Sequence, residues 1–248
     1  MRPPYNPDLE KYWHKRRSLF SKYDHGIALD AESYFSVTPE AAAAATASQL
    51  SDGACVLVDA FCGVGGNAIQ QALHDPHGCV IAIDIDPLKI EMARHNAEIY
   101  GVADRIQFVV GDFMEIAPRL RADVVFLSPP WGGVDYSPKG EFRLSALDVS
   151  ADVDGVRLFE LAIPIAPTIA YYLPVSTSDL DLGELAAKHA SRRCERIHLL
   201  WGDGKRVRPR ALLACYRIGP TAAGSTTASP SPSGDAPPSV HASSIDCR

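Results

Sequence analysis

Three glycines, three aspartates and a tryptophan set behind two prolines are the residues through which this chain could do chemistry. Gly63, Gly65 and Gly66 stand in VDAFCGVGGNAIQQAL, directly after a short apolar run and before a helical pattern. Read strictly, Gly63-x-Gly65-x-x-Ala68 meets the dinucleotide fingerprint. Glycine lets backbone approach a ligand closely, and the helix N-terminus offers unpaired N–H groups. Asp84 ends the next apolar run, twenty-one positions after Gly63. A carboxylate there accepts both hydroxyls of a ribose. An adenosine ribose is therefore expected, carried by either NAD or S-adenosylmethionine.

Two further features favour S-adenosylmethionine. Asp59 lies inside the first apolar run, just before the glycines. A pyrophosphate would be repelled by that carboxylate, whereas the ammonium of a methionine moiety would be attracted. The GDF tripeptide, residues 111–113, supplies Asp112 for an adenine amino group and Phe113 for the face of its ring.

Ser128-Pro129-Pro130-Trp131 follows the apolar run DVVFLS. The prolines fix φ and remove two N–H donors. The Pro129 carbonyl and the Ser128 side chain can accept hydrogen bonds from an exocyclic amine, while Trp131 stacks on the base that carries it. A conjugated amine is a poor nucleophile, so aiming it in line with a methyl donor is the main help available, and neither metal nor covalent intermediate is required. Cation–π attraction is strongest for Trp, up to ~2 kcal/mol when desolvated, so a positively charged base such as 7-methylguanine gains most.

These groups need a scaffold that brings several strand ends together. VLVDA (56–60), CVIAID (79–84), IQFVV (106–110), DVVFLS (123–128) and TIAYYLP (168–174) are nearly continuous apolar runs, as expected for parallel strands buried on both faces. Helical patterns alternate with them. In PLKIEMARHNAEIY (87–100), Asp86 is placed to cap, Pro87 to open and Gly101 to end a helix whose core side is marked by Leu88, Met92 and Ile99. Thr38-Pro39-Glu40 opens another helix through an alanine run, and 178–190 reads as a third. Such alternation predicts a right-handed, doubly wound α/β sheet. RIHLLWG and RALLACYRI then read as an antiparallel hairpin around the basic loop DGKRVRP.

Residues 1–38 fall outside the alternation and read as a helical arm of interleaved aromatic and basic residues. Residues 39–218 form the main domain. From Gly219 the chain is small, polar and proline-rich, and a disordered tail over 219–248 is expected. Net charge is −6, yet residues 188–217 carry nine Lys or Arg against two acidic residues, which suggests a localised phosphate-binding surface. No apolar run is long enough to cross a bilayer, and the N-terminus lacks the apolar centre of a signal peptide. The six cysteines form no CxxC pair, which argues against structural zinc and a disulfide framework and fits reduced thiols in an intracellular protein.

KYWHKRRSLFSKYDHG, YFSVTPE, VDAFCGVGGNAIQQAL, VIAIDIDPLKIEMARHNAEIYG, GDF and DVVFLSPPWGG together resemble the trimethylguanosine synthase family, closely over roughly residues 10–135 and more weakly through 136–217. That family methylates N2 of the 7-methylguanosine cap of small nuclear and nucleolar RNAs. The resemblance implies a class I S-adenosylmethionine-dependent methyltransferase with a Rossmann-like sheet, and a nuclear enzyme acting as a monomer. It implies cofactor contacts at Asp59, Gly63, Asp84, Asp112 and Phe113, with Thr38 touching the cofactor from the arm. It implies a guanine platform of Ser128, Pro129 and Trp131, with Phe20 closing the site and Lys11 reaching a cap phosphate. The arm becomes an accessory domain folded over the active site, without which the sheet alone is inactive. Residues 136–150 follow the family only loosely, and the basic loop 202–210 is the chain's own. Arg206 and Arg208 are expected there as a phosphate-attracting pair. Methylation of another exocyclic base amine, non-catalytic cap binding and NAD-dependent oxidoreduction stay open as alternatives. Asp59, the proline turn and the lack of a Tyr-x-x-x-Lys motif weigh against the last.

Overall fold

In the computed structural model, residues 9–50, 55–132, 140–150, 152–189, 194–202, 207–218 and 241–245 are described. Eight strands form one sheet: β1 (Val56–Asp59), β2 (Cys79–Asp84), β3 (Ile106–Val110), β4 (Val124–Leu127), β5 (Thr168–Pro174), β6 (Cys194–Gly202), β7 (Val207–Arg217) and β8 (His241–Ile245). Their order is β3-β2-β1-β4-β5-β7-β6-β8. The first five run parallel, and β7, β6 and β8 are added antiparallel. The order reverses between β1 and β4, so the ligand crevice lies beyond their carboxyl ends.

The apolar runs serve two cores at once because successive side chains point to opposite faces. Leu57, Phe126, Ala170, Tyr172 and Leu213 pack on one side with the arm and helices α4 (Glu40–Leu50), α5 (Gly66–His74) and α6 (Pro87–Tyr100). Val58, Val125, Leu127, Tyr171 and Leu212 pack on the other with α7 (Phe113–Ile116), α8 (Gly155–Ala162) and α9 (Asp179–Lys188). In α4, the small residues Ala42, Ala43, Thr46 and Ala47 are buried along with Leu50, and they let the helix lie close on α5.

Helix α6 has the ends its sequence predicts. Asp86 accepts from the Leu88 N–H, Pro87 occupies the first turn, and Gly101 takes the left-handed conformation at φ 75°. Its buried face is different from the one expected. Ile90, Ala93, Asn96, Ala97 and Tyr100 are buried, while Leu88 is 64% exposed. Leu88 sits in the first turn, beyond the end of the sheet that α6 covers. Met92 and Ile99 pack against the core from its margin.

The tail differs from expectation over its last part. Residues 241–245 form β8, paired antiparallel with β6. Without it, β6 would present an unpaired row of backbone N–H and C=O groups. Backbone pairing needs no apolar side chains, so a polar composition does not reveal it. The tail residues 219–240 and 246–248 lie outside the described residues. The hairpin strands are also longer than predicted, since β7 begins at Val207 inside the basic segment.

The arm is a series of short helices, α1 (Glu10–Trp13), α2 (Arg16–Leu19) and α3 (Ser33–Ser36), with a 3-10 turn at Tyr23–His25. Residues 1–8 lie outside the described residues. Within the arm, the Arg16 guanidinium lies 3.7 Å from the centroid of the Trp13 ring, and the Tyr23 and Tyr34 hydroxyls share a hydrogen bond of 2.5 Å. The arm docks on α4 and α6 through polar groups, of which Asn96 is fully buried. The Glu40 carboxylate accepts from the Ser21 N–H at 2.6 Å and from the Tyr100 hydroxyl at 2.5 Å. Asn96, fully buried, accepts from the Ala28 N–H at 2.8 Å and donates to the carbonyls of Ala28 and Val64, each at 3.0 Å. Val64 lies inside the glycine loop, so one side chain ties the arm to that loop. Asn96→Ala would leave these buried groups unpaired, at about 1–3 kcal/mol for each group. A loss of roughly 3 kcal/mol is expected, seen as a lower urea midpoint at unchanged slope.

Candidate active site

The glycine loop connects β1 to α5 and is held by backbone bonds on both sides. Ala60 N–H donates to the Phe126 carbonyl on the β4 side, and Cys62 N–H to the Ile83 carbonyl on the β2 side. Gly63 and Gly65 adopt left-handed φ values of 53° and 91°, which explains glycine at both. Gly66 is required for a different reason. A Cβ there would meet Val37 Cγ2 at 2.7 Å, with the Thr38 carbonyl at 3.6 Å and Phe20 Cζ at 3.8 Å. The arm therefore forms the wall of the loop at the point where α5 begins.

Asp84, at the end of β2, faces this loop. One carboxylate oxygen accepts from the Gly63 N–H at 2.8 Å and the other from the Asp86 N–H at 3.0 Å. Each oxygen retains acceptor capacity, because an ionised carboxylate has about four lone-pair sites. Thr38 is buried, and its hydroxyl accepts from the Asn67 side chain at 3.1 Å. Asn67 stands in the first turn of α5, next to Gly66.

Asp59 is the unusual group. It is fully buried, and neither oxygen has a hydrogen-bond partner. Burial pushes its carboxyl up to about 7; the Phe61 amide pulls the other way without completing a hydrogen bond, and the Asp84 charge adds to the rise. An unpaired buried carboxylate costs several kcal/mol unless a cation meets it. Among the described residues no group of His, Cys, Asp and Glu could hold a metal ion. The positively charged methionine portion of S-adenosylmethionine fits the requirement.

Asp112 and Phe113 have separate duties. Asp112 is partly exposed and caps α7, accepting from the Met114 N–H at 2.8 Å. Phe113 is only 2% exposed, its ring against Phe61 with centroids 6.0 Å apart. Phe113, expected at the face of an adenine ring, is the first residue of α7 and belongs to the second core. The apolar side chains exposed near the end of β2 and β3 are instead Ile85 at 70% and Val110 at 53%.

Across the crevice, Ser128, Pro129 and Trp131 follow β4, as expected. The Ser128 hydroxyl donates to the Phe61 carbonyl at 3.4 Å, which keeps its lone pairs available as acceptors. Pro129 is buried and Pro130 exposed. Trp131 is partly exposed, so the indole is neither lost in the core nor displayed on the surface. Its N–H donates to the Tyr172 carbonyl at 3.2 Å, and its ring stacks on that of Tyr172. Phe20 is 1% exposed and lies against Tyr100, between the arm and the glycine loop. Lys11 belongs to α1. Arg208 is exposed on β7, and Arg206 lies outside the described residues.

Sequence reading missed four residues that build the site: Asn67, Asn96, Tyr172 and Asp181. Asp181, on α9, accepts from the Leu144 N–H at 2.7 Å and pairs with Arg143 at 2.6 Å, anchoring the segment beyond the tryptophan. A second tie runs from the Phe142 N–H to the Ser176 carbonyl at 2.8 Å. Only the polarity of Asn96 among the buried apolar residues of α6 could have signalled any of them.

A profile of RNA cap guanine-N2 methyltransferases matches residues 54–204. The chain belongs to the RNA cap guanine-N2 methyltransferase family. It is 45% identical over 194 residues to the trimethylguanosine synthase of Schizosaccharomyces pombe, covering 75% of this chain and 77% of that protein. To the trimethylguanosine synthase of Saccharomyces cerevisiae it is 34% identical, covering 73% of this chain and 58% of the relative. Solved structures agree on the fold. An S-adenosylmethionine-dependent O-methyltransferase from Thermotoga maritima superposes with a TM-score of 0.52 at 13% identity, over 83% of this chain and 73% of that one. The C-terminal domain of precorrin-6Y C5,15-methyltransferase from Rhodobacter capsulatus gives 0.51 at 20% identity, over 79% and 96%. Family membership makes S-adenosylmethionine the cofactor and guanosine N2 methylation the activity, and NAD drops out as a candidate.

Asp59 gives this family member a measurable pH signature. Folded, it titrates near 7; unfolded, it returns to its ordinary value of about 4. Between those values the native state holds a proton that the unfolded chain has lost. Stability of the ligand-free protein therefore falls as pH rises from about 4 to about 7. Binding of S-adenosylmethionine has the opposite trend, strengthening up to about pH 7 as the carboxylate ionises and levelling above it. Asp59→Asn is expected to flatten both profiles and to weaken binding at pH 8 by about tenfold or more. Thermal denaturation and titration calorimetry across the pH range check both.

Proposed function

We propose that the chain transfers methyl groups to N2 of the 7-methylguanosine cap on small nuclear and nucleolar RNAs, forming the 2,7-dimethyl and then the 2,2,7-trimethyl cap by direct in-line transfer. The observation that carries this reading is the Ser128–Trp131 turn. It sets a partly exposed indole beyond β4, one strand from the unpaired Asp59 and on the same rim of the sheet.

S-adenosylmethionine, when bound, supplies an electrophilic methyl on a positively charged sulfur. The chain's residues hold and orient. Asp59 attracts the cationic methionine portion, Asp84 takes the ribose, Gly63 lets the backbone come close, and Thr38 closes the wall from the arm. Asp112 is placed for the adenine. On the other rim, Trp131 stacks on the 7-methylguanine ring, whose positive charge strengthens the contact. Ser128 and the Pro129 carbonyl accept from the exocyclic amine and so aim its lone pair. Orientation of this kind is the contribution this reading assigns to the chain. Lys11 reaches a cap phosphate, Phe20 holds the arm closed, and Arg206 and Arg208 draw the RNA through its phosphates. The enzyme works in the nucleus as a monomer, and the described residues include no helix long and apolar enough to cross a membrane.

Mass spectrometry of 7-methyl-GDP incubated with the protein and S-adenosylmethionine tests the reading by counting added methyl groups. Two successive additions are expected, with no transfer to unmethylated GpppA. Trp131→Ala should lower kcat/KM by about a hundredfold, mostly through KM for the cap. Equal turnover of GpppA, or an unaffected Trp131→Ala variant, would refute the cap reading.

A further inference from the structure

Trp131 is held from below in two ways. The centroids of the Trp131 and Tyr172 rings are 5.3 Å apart with planes 23° from parallel. The indole N–H is pinned to the carbonyl of the same tyrosine at 3.2 Å. Tyr172 lies near the carboxyl end of β5, 7% exposed, and Phe126 on β4 packs beneath it at 6.2 Å with planes 58° apart. Three aromatic rings thus rise from the core to the crevice. The Tyr172 hydroxyl lies against Thr38, the arm residue beside the glycine loop.

We infer that Tyr172 is a positioning residue that fixes the tilt and height of the Trp131 plate, and so determines where the cap base lies relative to the methyl donor. The reasoning is geometric. Trp131 follows two prolines and precedes Gly132, which adopts φ 101°. The prolines fix the backbone before it, and the two side-chain torsions of the indole remain. A ring contact fixes the plane of the plate but lets it spin. A single N–H bond fixes the spin but lets the plane tip. Tyr172 makes both contacts, one through its ring and one through its carbonyl, so the indole waits in its binding orientation. Its ring is covered by Trp131, Phe126 and Thr38, so it does not itself touch the base. A free indole would have to be ordered when substrate arrives, and that cost would appear as weaker binding.

This inference rests on the proposal that Trp131 carries the cap base, and the test separates the two. Calorimetry with 7-methyl-GDP compares wild type with Trp131→Ala, Tyr172→Phe, Tyr172→Met and the Trp131→Ala/Tyr172→Met double variant. Phenylalanine keeps a flat ring and should keep the affinity within about twofold. Methionine fills the volume without a plane and should weaken binding about tenfold. In the Trp131→Ala background the methionine substitution should cost nothing more, because the plate it supports is gone. A purely structural role would lower the thermal midpoint and the active fraction while leaving the dissociation constant of the folded protein unchanged. Additive losses, wild-type affinity in Tyr172→Met, or a tenfold loss in Tyr172→Phe would each overturn the inference. Should Tyr172→Met not fold, the phenylalanine arm still decides, since retained affinity supports the flat-ring role and lost affinity removes it. Wild-type affinity in Trp131→Ala would instead remove the cap reading on which the inference stands.

Discussion

An acidic side chain with no hydrogen-bond partner, deep inside a protein, is the condition around which this structure is organised. Asp59 is completely enclosed, and neither of its oxygens receives a hydrogen bond. Its strand cannot offer a remedy, because β1 is central, flanked by β2 and β4 and covered on both faces. The neighbours deepen the problem, since Asp84 brings a second negative charge to the same end of the sheet. A fold that keeps such an arrangement is less stable for it, and the deficit is made good when a cation arrives. Binding energy and folding energy are thus the same quantity viewed from two sides.

The arm gains its meaning from this centre. Seen as sequence it is a separate appendage, but physically it is one wall of the cofactor loop. Val37 stands where a side chain on residue 66 would have to go, and Asn96 bonds arm and loop together at one buried point. The loop's conformation and the arm's position are therefore set jointly. A Rossmann-like sheet supplies the strand ends, and the arm walls the glycine loop that follows the first of them.

Legibility from sequence followed the range of the interaction involved. Helix α6 was readable to the residue at both ends because capping is local: Asp86, Pro87 and Gly101 act on backbone groups within a few positions. The glycine loop was readable because a left-handed turn between strand and helix demands glycine, and Asp84 accepts from its Gly63 N–H at the next strand end. The parallel sheet followed from continuous apolar runs, although the sequence could not say how those runs divide between two cores. What escaped was long-range. Nothing near Tyr172 indicates that it would lie under Trp131, forty-one positions away. Asn96 meets Ala28 across sixty-eight positions, and β8 pairs with β6 from the far end of the chain. The burial of Phe113 was hidden for a related reason. Its place beside Asp112 is local, but the direction of its ring is decided by Phe61 in another loop.

The pairing of β6 with β7 shifts register between Leu199 and Leu200, so that Arg210 is skipped by the ladder. Below the shift, Ala211 to Tyr216 are all buried; above it, Arg208, Pro209 and Arg210 are all exposed. A single extra residue thereby divides one strand into two mechanically separate stretches. Charges on the outer stretch can be gained, lost or rearranged without disturbing the packing of the inner one. The outer end of the hairpin can therefore change in sequence at no cost to the core that the inner stretch helps to build.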